Sequence, residues 1–324
     1  MIRSYFKETV PGSDTLTPSC HASTVLPLDD GSVLVAWFGG THEKADDVNI
    51  YIALRSPSGS WSPPRRVSAD DGVANWNPVL CEKQNGGILL FYKYGREIPD
   101  WITMVCESSD GGKRWTAPRE LVPGDVSGGR GPVKNKCLRL PDRTLLAPAS
   151  TEQHGRWLPF IDVSKDDGET WAACEKMERA KYRGAFVGLI QPTLWRSQDG
   201  QIHALMRSNK GALYRSDSSD NGAHWSKPRR TRIPNNNSGI DAAADDEGRV
   251  WLLYNPVAEN WGDRWPLSLA VSTDNGKHFT EILRPEPGKG EFSYPAVVIK
   301  NKKLYATYTN QRKKISFFML EPEN

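Results

Sequence analysis

The chain has 324 residues, little cysteine, little net charge and no long apolar run. The five cysteines are Cys20, Cys81, Cys106, Cys137 and Cys174. They are scattered, odd in number and lack C-x-x-C spacing. That argues against a disulfide-stapled scaffold or a thiolate metal site and leaves reduced, mostly buried thiols. Lys plus Arg is 42 and Asp plus Glu is 39, for a net charge of +3. This balance excludes an acidic tail protein and a strongly basic nucleic-acid binder. No stretch reaches the roughly 18 apolar residues of a membrane helix. The start, MIRSYFKETVPG, has no apolar signal-peptide core. The expectation is a cytoplasmic protein with no membrane span. No convincing amphipathic helix is present either.

Turn residues and aromatics are abundant, with 28 Gly, 23 Pro and 12 Trp. Such a composition points to an all-β chain with many tight turns. A motif S-x-D-x-G-x-x-W recurs as SSDGGKRW, SKDDGETW and SSDNGAHW, and a fourth copy, STDNGKHF, ends in Phe. Its aspartates are Asp110, Asp166, Asp220 and Asp274, spaced 56, 54 and 54 residues. A degenerate copy, SPSGSW, precedes them. A second repeat, a turn followed by an apolar strand, occurs six times, from GSVLVAWFGG to KKLYATYTN. Six periods of 324/6, or 54 residues, fit one six-bladed β-propeller spanning 1–324. In each box the Asp accepts turn N–H groups, Gly supplies a positive φ, and Trp packs beneath the turn. The box carboxylates are therefore structural. Neither a metal nor an organic cofactor is called for.

Ahead of each apolar strand lies a strand that starts with polar residues. In a propeller these starts ring one mouth of the central channel, a favoured place for ligands. Repeat phase puts His21, Asn77, Lys134 or Lys136, Gln191, Asp241 and Tyr294 in that ring. The ends of the second strands add Arg207, Lys93, Arg96 and Glu152. The surplus of cations indicates an anionic ligand.

The boxes, their spacing and the blade count resemble the sialidase (neuraminidase) superfamily over nearly the whole chain. That resemblance implies three arginines gripping a sugar carboxylate, a Tyr nucleophile paired with a Glu, and an Asp acid/base. RSNKGALYRSDSSDNGAHW resembles the second-arginine segment and implies Arg207. GDRWPLSLAVSTDNGKHF resembles the third and implies Arg264, while EFSYPAVV implies Tyr294. The loop THEKADDVNIYIALRS resembles the acid/base loop and implies Asp46, with Asp47 as the alternative. Two positions depart from the pattern. The first-arginine site reads Cys20-His21-Ala22, and the Glu site reads Ile190-Gln191-Pro192. Glu43 lies in the Asp loop and is no obvious replacement for that Glu.

The leading expectation is an exo-glycosidase releasing a carboxylate-bearing terminal sugar from an acidic glycan. Tyr294 and Asp46 would do the chemistry, and Arg207 and Arg264 would hold the carboxylate, with protonated His21 or Lys134 as a third cation. Asn77, Lys136 and Asp241 would line the substrate site. Gln191 cannot accept a proton, which leaves Lys134, Lys136 or Asp241 to activate the phenol. An alternative is a lyase or unusual glycosidase acting on uronate glycans of rhamnosyl-glucuronate type, using His21 and Tyr294. A third reading is a non-catalytic carbohydrate-binding propeller in which Trp76, Trp101, Trp261 and Trp265 stack on sugars.

Overall fold

A computed structural model describes residues 2–173 and 176–323. Cys174 lies outside them, and the other four cysteines are free thiols. Among the described residues there are six four-stranded antiparallel sheets, and the one helical element is a single 3-10 turn, Ile98–Asp100. The inner strands are Ser19–Pro27 in blade 1, Asn75–Glu82 in blade 2 and Leu138–Arg139 in blade 3. They continue with Leu189–Arg196 in blade 4, Asp241–Ala244 in blade 5 and Phe292–Lys300 in blade 6. Blade 6 takes its outermost strand from the other end of the chain, where Ile2–Thr9 pairs antiparallel with Lys314–Pro322. That strand joins the two ends of the ring. The six-bladed propeller predicted from the repeats is the observed fold. Among the described residues no helix is long and apolar enough to cross a membrane.

The boxes show why the motif recurs. In blade 3, Asp166 Oδ1 accepts from Thr170 N–H at 2.9 Å and from Ser164 Oγ at 2.8 Å. Ser164 Oγ in turn accepts from Gly168 N–H at 2.8 Å, and Trp171 Nε1 donates to Gly168 O at 3.0 Å. The box glycine also meets the preceding blade. A Cβ on Gly112, Gly168 or Gly222 would stand 2.6, 2.4 or 2.8 Å from Leu34, Leu89 or Leu146. Each of these glycines also has a positive φ. The motif therefore closes a turn and lets neighbouring blades approach.

The second strands are almost wholly buried. Val33–Gly40 is buried along its length, and Ile88–Tyr94 is buried except at its last residue. The inner strands have a different local feature. In blades 1, 2, 4 and 6 the register slips between His21 and Thr24, Trp76 and Val79, Ile190 and Thr193, and Ser293 and Ala296. Each slip is a bulge, with the left-handed residue Ala22, Asn77, Gln191 or Tyr294 at φ 52, 44, 52 or 52°. Such backbone costs about 1–3 kcal/mol for a non-glycine residue and persists where surrounding structure imposes it. A bulge re-aims a side chain. In three of these blades the re-aimed residue faces one shared pocket.

Candidate active site

The pocket lies at the mouth of the channel and has a volume of about 300 Å³. Asn77, Gln191 and Tyr294 line it from their bulges, and Arg207, Arg264 and Arg312 bring three guanidinium groups. Glu43 and Glu152 supply carboxylates, and Trp76, Trp101, Trp157 and Trp261 supply aromatic wall. A larger groove of about 580 Å³ runs along the boxes of blades 3 and 4. Its Asp220 and His224 are bonded to each other within a box, and no arginine lines it.

Tyr294 sits among the cations. Arg207 Nη1 donates to Tyr294 Oη at 2.8 Å and to Gln191 Oε1 at 3.1 Å. The Arg207, Arg264 and Lys134 charges lie 5.8, 5.5 and 6.0 Å from the Tyr294 ring centre. Arg207 has almost no exposure, and its Nε donates to Asn237 Oδ1 at 3.1 Å. Asn237 belongs to a buried run, Asn235 to Asn237, that also fixes the next loop. Asn236 Nδ2 donates to Asp263 O, and Asn236 O accepts from Trp261 N–H. Three successive asparagines before an inner strand were the readable sign of this brace.

A further guanidinium, that of Arg312, lies outside the segments that carry the family resemblance. Arg312 stands in the turn after Lys303–Asn310 of blade 6, at φ 55°. Its Nε donates to Glu291 Oε1 at 2.7 Å and its Nη1 to Glu43 Oε2 at 2.5 Å. Arg264 Nη1 donates to the same Glu291 oxygen at 2.8 Å. Burial raises the Glu291 pKa, but Arg312 and Arg264 outweigh it and hold the group below its usual range. One carboxylate thus spaces two guanidinium groups at the pocket edge. The readable sign was a cation-rich turn, NQRKK, at the end of a second strand.

Several expected residues are placed elsewhere. In blade 1 the bulge residue is Ala22, so His21 falls one position early and is 1% exposed. Its ring lies 4.2 Å from that of Tyr294, and neither ring nitrogen has a hydrogen-bond partner among the described residues. Burial, then Arg312, Arg264, Lys134 and Arg207, drives its pKa well below normal. His21 is therefore neutral, and Arg312 occupies the third cationic place instead. Lys134 is buried, and its Nζ donates to Asn135 Oδ1 at 2.8 Å, to Ile240 O at 2.9 Å and to Pro295 O. Burial pushes it down to about 7, against the pull of Asp241. Its three donor directions are spent on structure. Lys136 and Asp241 pair at 3.0 Å, and Asp241 also accepts from Thr193 Oγ1 and Val297 N–H. Neither lines the pocket, because each ties channel strands together.

The acid/base loop is displaced as well. Asp46 is exposed and pairs with exposed Arg96 at 3.3 Å, away from the pocket lining. Asp47 accepts from Thr41 N–H and Oγ1, which holds the loop turn. The same loop instead brings Glu43 to the pocket. Glu152, at the end of the second strand of blade 3, faces it from the other side. Burial raises the Glu152 pKa, and Arg207 only partly opposes this. Lys93 lies apart, buried and donating to Thr103 Oγ1 and Arg130 O. Trp265 is also outside the lining, whereas Trp76, Trp101 and Trp261 are in it.

Solved structures share this fold. A Hadza microbial sialidase, Hz136, superposes with a TM-score of 0.81 at 16% identity, over 96% of this chain and 68% of that one. A Dyadobacter fermentans protein of unknown function gives 0.79 at 15%, over 99% of this chain and all of that one. Trypanosoma rangeli sialidase gives 0.73 at 17%, over 98% of this chain but 60% of its own. No sequence among curated proteins matches. The BNR repeat-like domain matches residues 31–306, which carry the four boxes and Tyr294. The chain belongs to the BNR repeat-like family and has the sialidase-type six-bladed propeller.

Proposed function

We propose that the protein is an exo-acting glycosidase that releases a terminal sugar bearing a carboxylate. The observation carrying this reading is the convergence of Arg207, Arg264 and Arg312 on one pocket around Tyr294. Three guanidinium groups at fixed positions suit a planar carboxylate, which they bind by forked, charge-assisted hydrogen bonds. The sugar's anomeric carbon then lies over the Tyr294 hydroxyl. Attack by Oη forms a glycosyl–tyrosine bond as the glycosidic bond breaks, and the phenol proton passes to solvent. Gln191 accepts a hydrogen bond but no proton. The Arg207 N–H already on Oη steadies charge that builds there. Glu152, whose pKa burial raises above the usual carboxylate value, is the proton donor to the leaving oxygen. It later takes a proton from the water that releases the sugar.

One observation favours a second reading. Gln191, not a carboxylate, lies beside Tyr294, and both accept from Arg207 Nη1. In a uronate lyase no glycosyl–enzyme bond forms. The arginines acidify the C–H beside the carboxylate, and the phenol relays that proton to the glycosidic oxygen leaving the next ring carbon, so that the C–O bond breaks as a C=C bond forms. The two readings differ in product. The protein is incubated with sialosides, with glucuronate-capped glycans and with glycans whose glucuronate carries a further sugar on O4, and the products are weighed. Hydrolysis adds one water to the released sugar. A product lighter by one water, absorbing in the near ultraviolet, overturns hydrolysis in favour of elimination. Absence of any product overturns both.

A further inference from the structure

Beside the pocket lies a feature with no counterpart in the other blades among the described residues. Between blades 3 and 4 the chain forms an extra two-stranded hairpin, Lys181–Tyr182 with Ala185–Phe186. Residues 176–186 hold four cations, Lys176, Arg179, Lys181 and Arg183, and one carboxylate, Glu178. Glu178 is already paired with Lys227 at 2.9 Å. The outer strand of blade 4, Arg229–Pro234, carries Arg229, Arg230 and Arg232. Arg230 stands 4.9 Å from the Tyr182 ring, which links the strand to the hairpin. Among the described residues, Arg229 alone of these three has a carboxylate partner, Asp217. A chain with a net charge of +3 thus gathers positive charge at one corner, in excess of the carboxylates among the described residues.

The corner is also shaped. Arg179 stands 3.5 Å from the centre of the Phe186 ring, and Lys181 5.0 Å from it. Phe186 is 47% exposed, an aromatic left at the surface. A cleft of about 100 Å³ is lined by Arg156, Trp157, Arg179, Phe186 and Asn209. Trp157 is the wall it shares with the active-site pocket. The Trp157 ring is held there by close packing, since a Cβ on Gly188 would lie 2.9 Å from it. At a third of the pocket's volume, the cleft suits a carboxylate or sulfate group. Arg156 and Arg179 are guanidinium groups with no ion pair among the described residues, fitted to bind such an anion by forked contacts.

We infer that the substrate is a polyanionic glycan, whose terminal acidic sugar occupies the arginine pocket while a later acidic group docks in the cleft on Arg156 and Arg179. The basic hairpin and Arg230 then receive the rest of the anionic chain. The inference rests on the proposed acidic-sugar pocket and adds the class of glycan it draws from. A single basic corner also attracts nucleic acid, but the cleft's continuity with the sugar pocket through Trp157 favours the glycan.

The test measures binding by calorimetry. The probes are N-acetylneuraminate and its α2,8-linked tetramer, and galacturonate and its tetramer. In at least one series the wild type binds the tetramer about tenfold or more tighter than the monomer, the value of one or two charge-assisted contacts. The double variant Arg156→Gln/Arg179→Gln loses that preference, keeps its monomer affinity and keeps its melting temperature. The preference also falls with added salt. Equal binding of monomer and tetramer by the wild type overturns the extended site and leaves the pocket reading standing. A preference that survives in the double variant overturns it too. Failure to bind any of the four sugars overturns both readings. Tighter binding of single-stranded oligothymidylate than of either tetramer, lost in the double variant, assigns the corner to nucleic acid and overturns the inference.

Discussion

Replacing Arg312 with Met removes the third cation and keeps most of the side chain's length. In the structure the guanidinium bridges Glu43 at 2.5 Å and Glu291 at 2.7 Å, with a quarter of the side chain exposed. A charge-assisted hydrogen bond to a bound carboxylate contributes about 1.5–3 kcal/mol. At about 1.4 kcal/mol per decade, its loss weakens binding of an acidic sugar roughly 10- to 150-fold. The freed Glu43 carboxylate adds repulsion, whereas Glu291 keeps Arg264 at 2.8 Å. The fold should be little affected, since both ion pairs are partly open to solvent, where such a pair contributes about 1 kcal/mol or less. The backbone carbonyl of Arg312, which accepts from Cys20 N–H, is untouched by the change. The assay is a calorimetric titration with N-acetylneuraminate or galacturonate, with a melting curve on the same sample. Arg312→Lys, which restores charge without the fork, should fall between the two. Affinity in Arg312→Met within about twofold of wild type, at a native melting temperature, refutes the assignment of Arg312 to the carboxylate clamp.

Other outcomes follow from the same geometry. Asp166→Ala removes the acceptor for Thr170 N–H, Thr170 Oγ1 and Ser164 Oγ, and should cost about 1–2 kcal/mol with rate per folded molecule retained. A native urea midpoint would contradict the structural role of the box. His21→Phe should abolish part of the acid sensitivity of stability. His21 takes up no proton in the fold, whereas the unfolded chain binds one below about pH 6.5, so wild-type stability falls as pH drops through that value. Identical midpoint-versus-pH curves for the two proteins would refute this. Asp220 is held at about 2, chiefly by backbone and side-chain hydrogen bonds from His224. Its contribution is full above about pH 4 and is lost as pH falls toward 2, which Asp220→Asn should flatten. Gln191→Glu offers Tyr294 a proton acceptor and should raise the hydrolytic kcat; an unchanged kcat across the pH range would count against proton loss from Tyr294 as a slow step.

Most of the fold was legible because its signals are local. Each box carries its hydrogen bonds within eight residues, and the box glycine reports contact with the neighbouring blade. Arg207, Arg264 and Tyr294 lie in segments whose local sequence resembles one family, and the structure brings all three to one pocket. What could not be read depends on register and on distant parts of the chain. A one-residue bulge decides that Ala22, not His21, is the counterpart of Tyr294 in blade 1. Arg312 matters because its turn crosses toward the loop of Glu43, 269 residues earlier. Asp46 and Glu43 share a loop, and only its tertiary course decides which carboxylate turns inward. Lys134, Lys136 and Asp241 are polar at the expected phase, but they serve the channel's own hydrogen bonds.

The central claim is that Tyr294, within an arginine-lined pocket, attacks the anomeric carbon of an acidic sugar. A 2,3-difluoro acidic sugar slows the second step and traps the enzyme-bound sugar when it forms. Incubation with such a compound, proteolysis and peptide mass analysis should find the sugar on the peptide holding Tyr294, with Arg207→Met giving none. A turnover-competent enzyme with no adduct, or with the adduct on another residue, would contradict the account.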